Sequence, residues 1–221
     1  MPSREKTQDP ITRAREVEIL RVAMMLFQRD GYDGTPVTRI ADEAGMTPGN
    51  LYWYFPSKKD LLASALEEIY RTSYERLAAA DASGETGVQR LETFVRTFVS
   101  SQVEESEEQI NFGYMSLQNS LGPDALTAVS KWQQLHRSLL KEILQQGTDE
   151  GSFVMSNLSV VASIILTSIE YVVLWYKPEG QLDPSELAEL FVESTLRLVG
   201  AAEAHSTMPR PTSKPSAPER P

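Results

Sequence analysis

Apolar residues recur along this chain at intervals of three and four, the spacing that lines one face of an α-helix. Val17, Leu20, Ala23, Met24 and Phe27 predict a first helix, closed at Asp30 by Gly31. Val37, Ile40, Ala41 and Ala44 predict a short second helix, with Thr35 as its cap and Pro36 at its start. Gly45 then supplies a residue that accepts positive φ at a tight turn. A third helix follows at once: Thr47 caps it, Pro48 suits its first turn, and Leu51 with Tyr54 or Phe55 faces inward. Pro56 stops it. Ser57, with Asp60 three residues on, opens a fourth helix through Leu61, Leu62, Ala65, Leu66, Ile69 and Tyr70 to about Ala80, long enough to pass from one domain into the next.

From Val88 onward the pattern is helical without strand signals. Val88, Leu91, Phe94, Val95, Phe98 and Val99 describe an amphipathic helix that ends in Glu104, Glu105, Glu107 and Glu108. With no histidine nearby, those carboxylates read as a solvated helix end rather than a metal site. Ile110 to Ser120 is a short helix. Pro123 starts a longer one to about Gln146, and Gly147 and Gly151 bracket a turn. Ser156 or Asn157 caps the most apolar helix, Leu158 to Lys177, in which Ser163, Thr167, Ser168 and Glu170 argue for burial in a protein rather than in a bilayer. Pro178 and Gly180 break it. Asp183, Pro184, Ser185 and Glu186 form a capping box for a last helix that ends before Gly200, and the proline-rich residues 204–221 read as a disordered tail.

The second and third helices, joined around Gly45, make a helix-turn-helix over residues 36–55, in which the small Ala41 permits close approach and Met46 plugs the turn. Thr47, Gly49, Asn50, Tyr52 and Trp53 remain on or near its outer face. A helix entering the DNA major groove needs short polar or flat side chains at its leading end for base edges, and aromatic hydroxyls further along for phosphates. A structural corner whose aromatics are all core is the competing reading. Three aromatics in succession, Tyr52, Trp53 and Tyr54, diverge around a short helix and do not fit a single core.

Residues from Arg13 to about Ser73, including the Leu26-Phe27 ending, the Gly31-Tyr32 turn, Thr35, IADEAG, LYWYF and Pro56-Ser57-Lys58-Lys59, resemble the DNA-binding domain of the TetR family of bacterial transcriptional regulators. The resemblance implies an all-α fold: a three-helix DNA-binding domain at 13–73, joined by a long helix to a helical ligand-binding and dimerisation domain at 74–203. It also implies phosphate contacts from Thr38, Arg39 and Lys58. Thr35, Thr47, Pro48, Gly49, Asn50, Tyr52, Trp53 and Tyr54 complete the expected DNA-binding set. For Arg39, a surface ion pair with Asp42 or Glu43 is an equal alternative.

Charge sharpens this picture. The net charge of −10 is unusual for a DNA binder, but residues 1–60 carry nine basic and nine acidic groups, so the whole excess lies in residues 61–221. An acidic body is kept from DNA, and the few basic groups beside the reading helix must meet the phosphates. The 221-residue chain has no cysteine, and its polar opening lacks the apolar run of a secretory signal, so a cytoplasmic protein without a membrane segment is expected.

Two consecutive helices, apolar on more than one side, predict pairing with a second copy across a two-fold axis, which suits a palindromic double-stranded DNA operator. Phe112, Tyr114, Met115, Trp132, His136, Tyr171 and Trp175 are the candidates for an apolar effector site. The phrase WYKPEGQL is similar to a segment of family members that respond to acyl-coenzyme A thioesters. The expected function is a ligand-released repressor without cofactor or metal. The alternative is a helical protein-protein adaptor. An enzyme lacks raw material: there are two histidines, no glycine-rich phosphate loop and no nucleophile set beside a base.

Overall fold

Among the residues that the computed structural model describes (9–81, 86–107, 117, 120–177, 180 and 182–201), the chain forms nine α-helices and no strand. They are α1 (Pro10–Asp30), α2 (Val37–Glu43), α3 (Pro48–Tyr54), α4 (Lys58–Asp81), α5 (Gly87–Glu107), α6 (Pro123–Asp149), α7 (Leu158–Glu170), α8 (Val172–Trp175) and α9 (Pro184–Leu198). The predicted start signals hold where a side chain can reach a free amide. Thr47, Asn157 and Asp183 accept from the first turns of α3, α7 and α9, and at α9 Glu186 completes the capping box. Ser57 Oγ accepts from the amide of Asp60 and donates to its carboxylate at the start of α4.

Two apolar cores result. The first gathers α1 to α4 around Phe27, Ile40, Leu51, Leu61, Leu62 and Leu66, and it also takes in Leu117, Leu121 and Val129. The second joins Leu77 of α4 to α5, the end of α6, and α7 to α9. Helices α4 and α6 therefore enter both cores and pack along each other. The boundary expected after residue 73 falls inside α4, so movement of this helix is felt in both domains.

Several local expectations are corrected. Val17 stays 38 % exposed, and Ile19, Val22 and Leu26 take the inward positions of α1. Thr35 does not cap α2. Its side chain is fully buried, and its hydroxyl lies 2.7 Å from the carbonyl of Gly31 and 3.1 Å from that of Leu26, tying the turn to the end of α1. Gly147 lies inside α6 rather than at a turn, and a side chain is excluded there because a Cβ would come 2.1 Å from the ring of the buried Phe153. The turn follows at Gly151, where φ is +73°. The long apolar helix is interrupted at Tyr171, whose amide bonds to Thr167 and Ile169 together, and Val172 and Val173 then turn into the core. Of the predicted helix over 110–120, residues 110–116, with Phe112, Tyr114 and Met115, lie outside the described residues, as does the tail. Among the described residues no helix is long and apolar enough to cross a membrane.

Candidate nucleic-acid interface

The reading head is built by its turn. The amide of Gly45, at φ +63°, bonds to Asp42, and that of Met46 bonds to Ala41 at 2.9 Å, which folds α3 back across α2. Ile40, Ala41 and Leu51 are buried beneath it, and Met46 packs against the same core. With that face spent, the outer side of α3 is fixed: Gly49 and Asn50 are exposed, Tyr52 is 47 % and Trp53 63 % exposed. Pro48 and Tyr54 are half-buried, and Tyr54 presents its ring edge-on to Trp53 with centroids 4.8 Å apart. A groove beside α3 is lined by Arg15, Asp42, Gly45, Met46, Thr47, Asn50, Trp53 and Tyr54. The groove beside α3 thus offers an amide, a hydroxyl and flat aromatic surface, the chemistry that reads base edges and grips a backbone.

Not every expected contact is available. Thr35 is withdrawn by its burial. Thr38 and Arg39 are exposed on α2, but Arg39 pairs with Asp30 at 3.1 Å, not with Asp42 or Glu43. Asp30 also receives the guanidinium of Arg29, whose hydrogen bonds hold its carboxyl below the usual range with Arg39 adding to the effect. Arg15 donates to the carbonyl of Ala44 at 2.6 Å, closing the C-terminal end of α2. Lys58, at the first position of α4, holds its ammonium 4.4 Å from the centre of the Tyr32 ring.

Behind the head, Glu68 on α4 takes hydrogen bonds from Arg71 and from Arg13 on α1. Burial works to raise the Glu68 carboxyl, but those two guanidinium partners outweigh it and hold the pKa down. Further along α4, three side chains on one face meet α6 in succession. Glu67 accepts from the indole of Trp132, Tyr70 from the amide of Gln133 at 3.0 Å, and Ser73 pairs with His136 at 3.1 Å. His136 is 4 % exposed and is ringed by Tyr70, Tyr74 and Phe98, so burial pushes its pKa down.

Of the seven residues expected to line one effector site, Phe112, Tyr114 and Met115 lie outside the described residues, and the other four fall in separate places. Trp132 and His136 lie in the seam between α4 and α6. Trp175 stacks on Phe191 of α9 across 6.3 Å and borders an apolar groove with Ile164, Leu182, Leu187 and Leu190. Tyr171 is 37 % exposed at the α7–α8 junction. The interruption at Tyr171 separates residues that a continuous helix would have aligned.

Residues 19–65 match the model of bacterial regulatory proteins of the tetR family, and residues 84–199 match the tetracyclin repressor-like C-terminal domain. The chain belongs to the TetR family. This TetR-family member is a helix-turn-helix transcriptional regulator, and α2 and α3 lie within the residues that match the tetR model. It is similar to the HTH-type transcriptional repressor KstR2 of Rhodococcus jostii RHA1, 27 % identical over 194 residues that cover 87 % of this chain and 93 % of the relative. It is also similar to KstR2 of Mycobacterium tuberculosis H37Rv, 24 % identical over 185 residues covering 83 % and 92 %. A tetR-family regulatory protein from Rhodococcus RHA1 shares the fold with a TM-score of 0.77 and 24 % identity, over 86 % of this chain and 98 % of that one. So does AibR, solved in complex with isovaleryl coenzyme A and operator DNA, with a TM-score of 0.69 and 21 % identity over 81 % and 97 %.

Proposed function

We propose that this TetR regulator is a repressor that binds a palindromic operator as a homodimer and is released by an apolar or amphipathic effector of the acyl-coenzyme A thioester class. The observation that carries the DNA half is the outward display of Thr47, Gly49, Asn50, Tyr52 and Trp53 on a helix whose other face is locked by Leu51. Asn50 reads a base edge. Tyr52, Thr38 and Lys58 meet phosphates, and Trp53 and Tyr54 pack against the backbone.

The homodimer is supported by an apolar surface that this chain leaves uncovered. Val160 and Ile164 of α7, Trp175, and Leu182, Leu190 and Leu198 at α9 are all at least 36 % exposed. Ser163, Thr167 and Ser168 lie among them, small enough to let a second pair of helices approach. Two copies of α7 and α9 make a four-helix bundle and hold two reading helices about one turn of B-DNA apart, roughly 34–36 Å, or multiples of it. The protein works in the cytoplasm, where operator and thioester are both found.

Release runs through α4. This helix starts at Lys58 beside the reading head, reaches the second core through Leu77, and meets α6 along a seam of three side-chain hydrogen bonds. An effector lodged between the body helices shifts α4 and spreads the two heads. It must bind the spread state more tightly, and a coupling of about 1–3 kcal/mol is the ordinary range. The thioester class is favoured by one similar protein, AibR, solved in complex with isovaleryl coenzyme A and operator DNA; KstR2, also similar, is described as a ketosteroid transcriptional regulator.

A mobility shift on DNA from just upstream of its own gene, with competitor DNA at physiological salt, tests the whole proposal when repeated with a panel of acyl-coenzyme A esters. Specific retention that one ester abolishes is the expected result. Retention unmoved by every ester and by apolar aromatics refutes the effector class. A folded protein that no genomic fragment retains favours the adaptor.

A further inference from the structure

The geometry points to Tyr32 as the positioning residue for the DNA-contacting lysine of this protein: its ring is the platform that holds the Lys58 ammonium at the head's edge, ready for a phosphate. This inference rests on the DNA-binding reading of Lys58 given above. Tyr32 sits in the α1–α2 turn and makes no part of the outer face of α3, so nothing in the helix-turn-helix itself assigns it a role.

The turn is built to place that ring. Gly31 at φ +77° reverses the chain after α1, and the buried Thr35 hydroxyl ties the other side of the turn back to Gly31 and Leu26. Between them Tyr32 is half-buried and lies against the fully buried ring of Phe27, centroids 5.3 Å apart. Lys58 Nζ stands 4.4 Å from the Tyr32 centroid and 5.9 Å from that of Phe27. The negative face of an aromatic ring attracts an ammonium at such distances, more strongly where water is partly excluded.

The arrangement solves two problems. A lysine in the first turn of a helix faces the positive end of the helix dipole, and its flexible stem has many rotamers to lose before it can grip anything. The ring offsets the unfavourable field and limits the stem to one region. It also competes with Asp33, the nearby carboxylate whose charge acts on Lys58. No ion pair of Lys58 is formed among the described residues, and a face-on ring leaves the ammonium's hydrogens free on the side away from it. Lys58 is therefore held but not satisfied, the condition for a preorganised phosphate contact.

The test uses the full chain with Tyr32→Leu, Tyr32→Phe, Lys58→Ala and the double variant Tyr32→Leu/Lys58→Ala. Binding is read by fluorescence anisotropy over a salt series, on a duplex selected from a random library and on a random-sequence duplex. Tyr32→Leu should weaken both duplexes roughly three- to tenfold. Lys58→Ala should weaken both further and flatten the logarithmic salt dependence by about 0.9, one phosphate contact. The double variant should bind like Lys58→Ala alone, and Tyr32→Phe, which keeps the ring face, should bind like the native protein. The proton resonances beside Nζ of Lys58 should carry a ring-current shift in the native protein and Tyr32→Phe, lost in Tyr32→Leu. Melting curves identify any variant that has merely unfolded, and the Phe variant with the resonance shift then decides. If Lys58→Ala weakens binding while Tyr32→Leu does not, or if the two losses multiply in the double variant, the inference about Tyr32 is wrong and the DNA reading stands. If the native protein retains neither duplex, both fail together.

Discussion

The hydrogen bond between Ser73 and His136 joins the helix that carries the reading head to the long helix of the body, and its removal has a calculable consequence. The carbonyl of Trp132 can only accept, so the 2.8 Å contact to His136 Nδ1 fixes the proton on Nδ1 and leaves Nε2 bare. Ser73 Oγ must then donate to Nε2 across 3.1 Å. Ser73→Ala leaves that nitrogen buried without a donor, which costs about 1–3 kcal/mol. Alanine returns up to about 0.5 kcal/mol through its better helix propensity, for a net loss of roughly 0.5–3 kcal/mol. For a chain of this size that is a fall in melting temperature of roughly 1–12 °C. His136→Leu should cost less, because the freed Ser73 hydroxyl can turn back to its own helix's carbonyl one turn earlier. The double variant Ser73→Ala/His136→Leu should recover stability relative to Ser73→Ala, since both polar partners are gone. Differential scanning calorimetry of the four proteins at one protomer concentration closes the cycle. Additive losses in the double variant, or a Ser73→Ala protein as stable as the native one, would mean that this hydrogen bond does not contribute to stability. The burial of the same histidine sets a pH signature. Burial depresses the His136 pKa below its ordinary 6.5, so its stabilising contribution is complete above that pH and declines as the pH falls toward the folded value. His136→Leu should flatten the stability profile in that window.

Three further outcomes follow from packing and burial. Thr35→Val keeps the shape but removes a buried donor, and should cost about 1–1.5 kcal/mol in thermal stability without weakening DNA binding where the protein is folded; weakened DNA binding in the folded variant would return Thr35 to the interface. Gly147→Ala gains about 1 kcal/mol of helix propensity but drives a Cβ to 2.1 Å from the Phe153 ring, and overpacking of about 1–3 kcal/mol should leave the variant less stable in denaturant unfolding. Burial raises the Glu170 carboxyl, with Arg137 opposing, so ionisation costs stability as the pH climbs above 4.5 toward the folded pKa. Glu170→Gln should therefore melt higher than the native protein near neutral pH, the gap closing as the pH falls to 4.5; a gap that widens in acid would reverse the assignment.

Most of the head was legible because its signals are local. A threonine before a proline, a serine three residues before an aspartate, and a glycine between two short apolar faces specify start, stop and turn with no knowledge of the neighbours. The outer face of α3 follows by subtraction once Leu51 is known to be inside. What failed was tertiary. The apolar residues of α1 surround much of the helix, so only the packed partners decide that Ile19 and Val22 turn inward and Val17 does not. Thr35 has the right identity for a cap, yet a carbonyl at the end of α1 takes its hydroxyl. Arg39 finds Asp30, nine positions back, where helical spacing offered only Asp42 and Glu43. The grouping of Trp175 with His136 assumed one unbroken helix, and the interruption at Tyr171 leaves Trp175 against α9 instead. The Tyr32–Lys58 contact joins two turns that no periodicity relates.

On the proposed reading α3 reads DNA sequence while Lys58 and its neighbours grip the backbone. Selection of duplexes from a random library by the native protein, repeated with Asn50→Ala and Lys58→Ala, tests it most directly. The native protein should enrich one palindrome. Asn50→Ala should relax the preference at a symmetric pair of positions by about 1–3 kcal/mol each, and Lys58→Ala should keep the preference and weaken every sequence alike. Enrichment of no sequence by the native protein, or equal loss on operator and random DNA when Asn50 is changed, would contradict it.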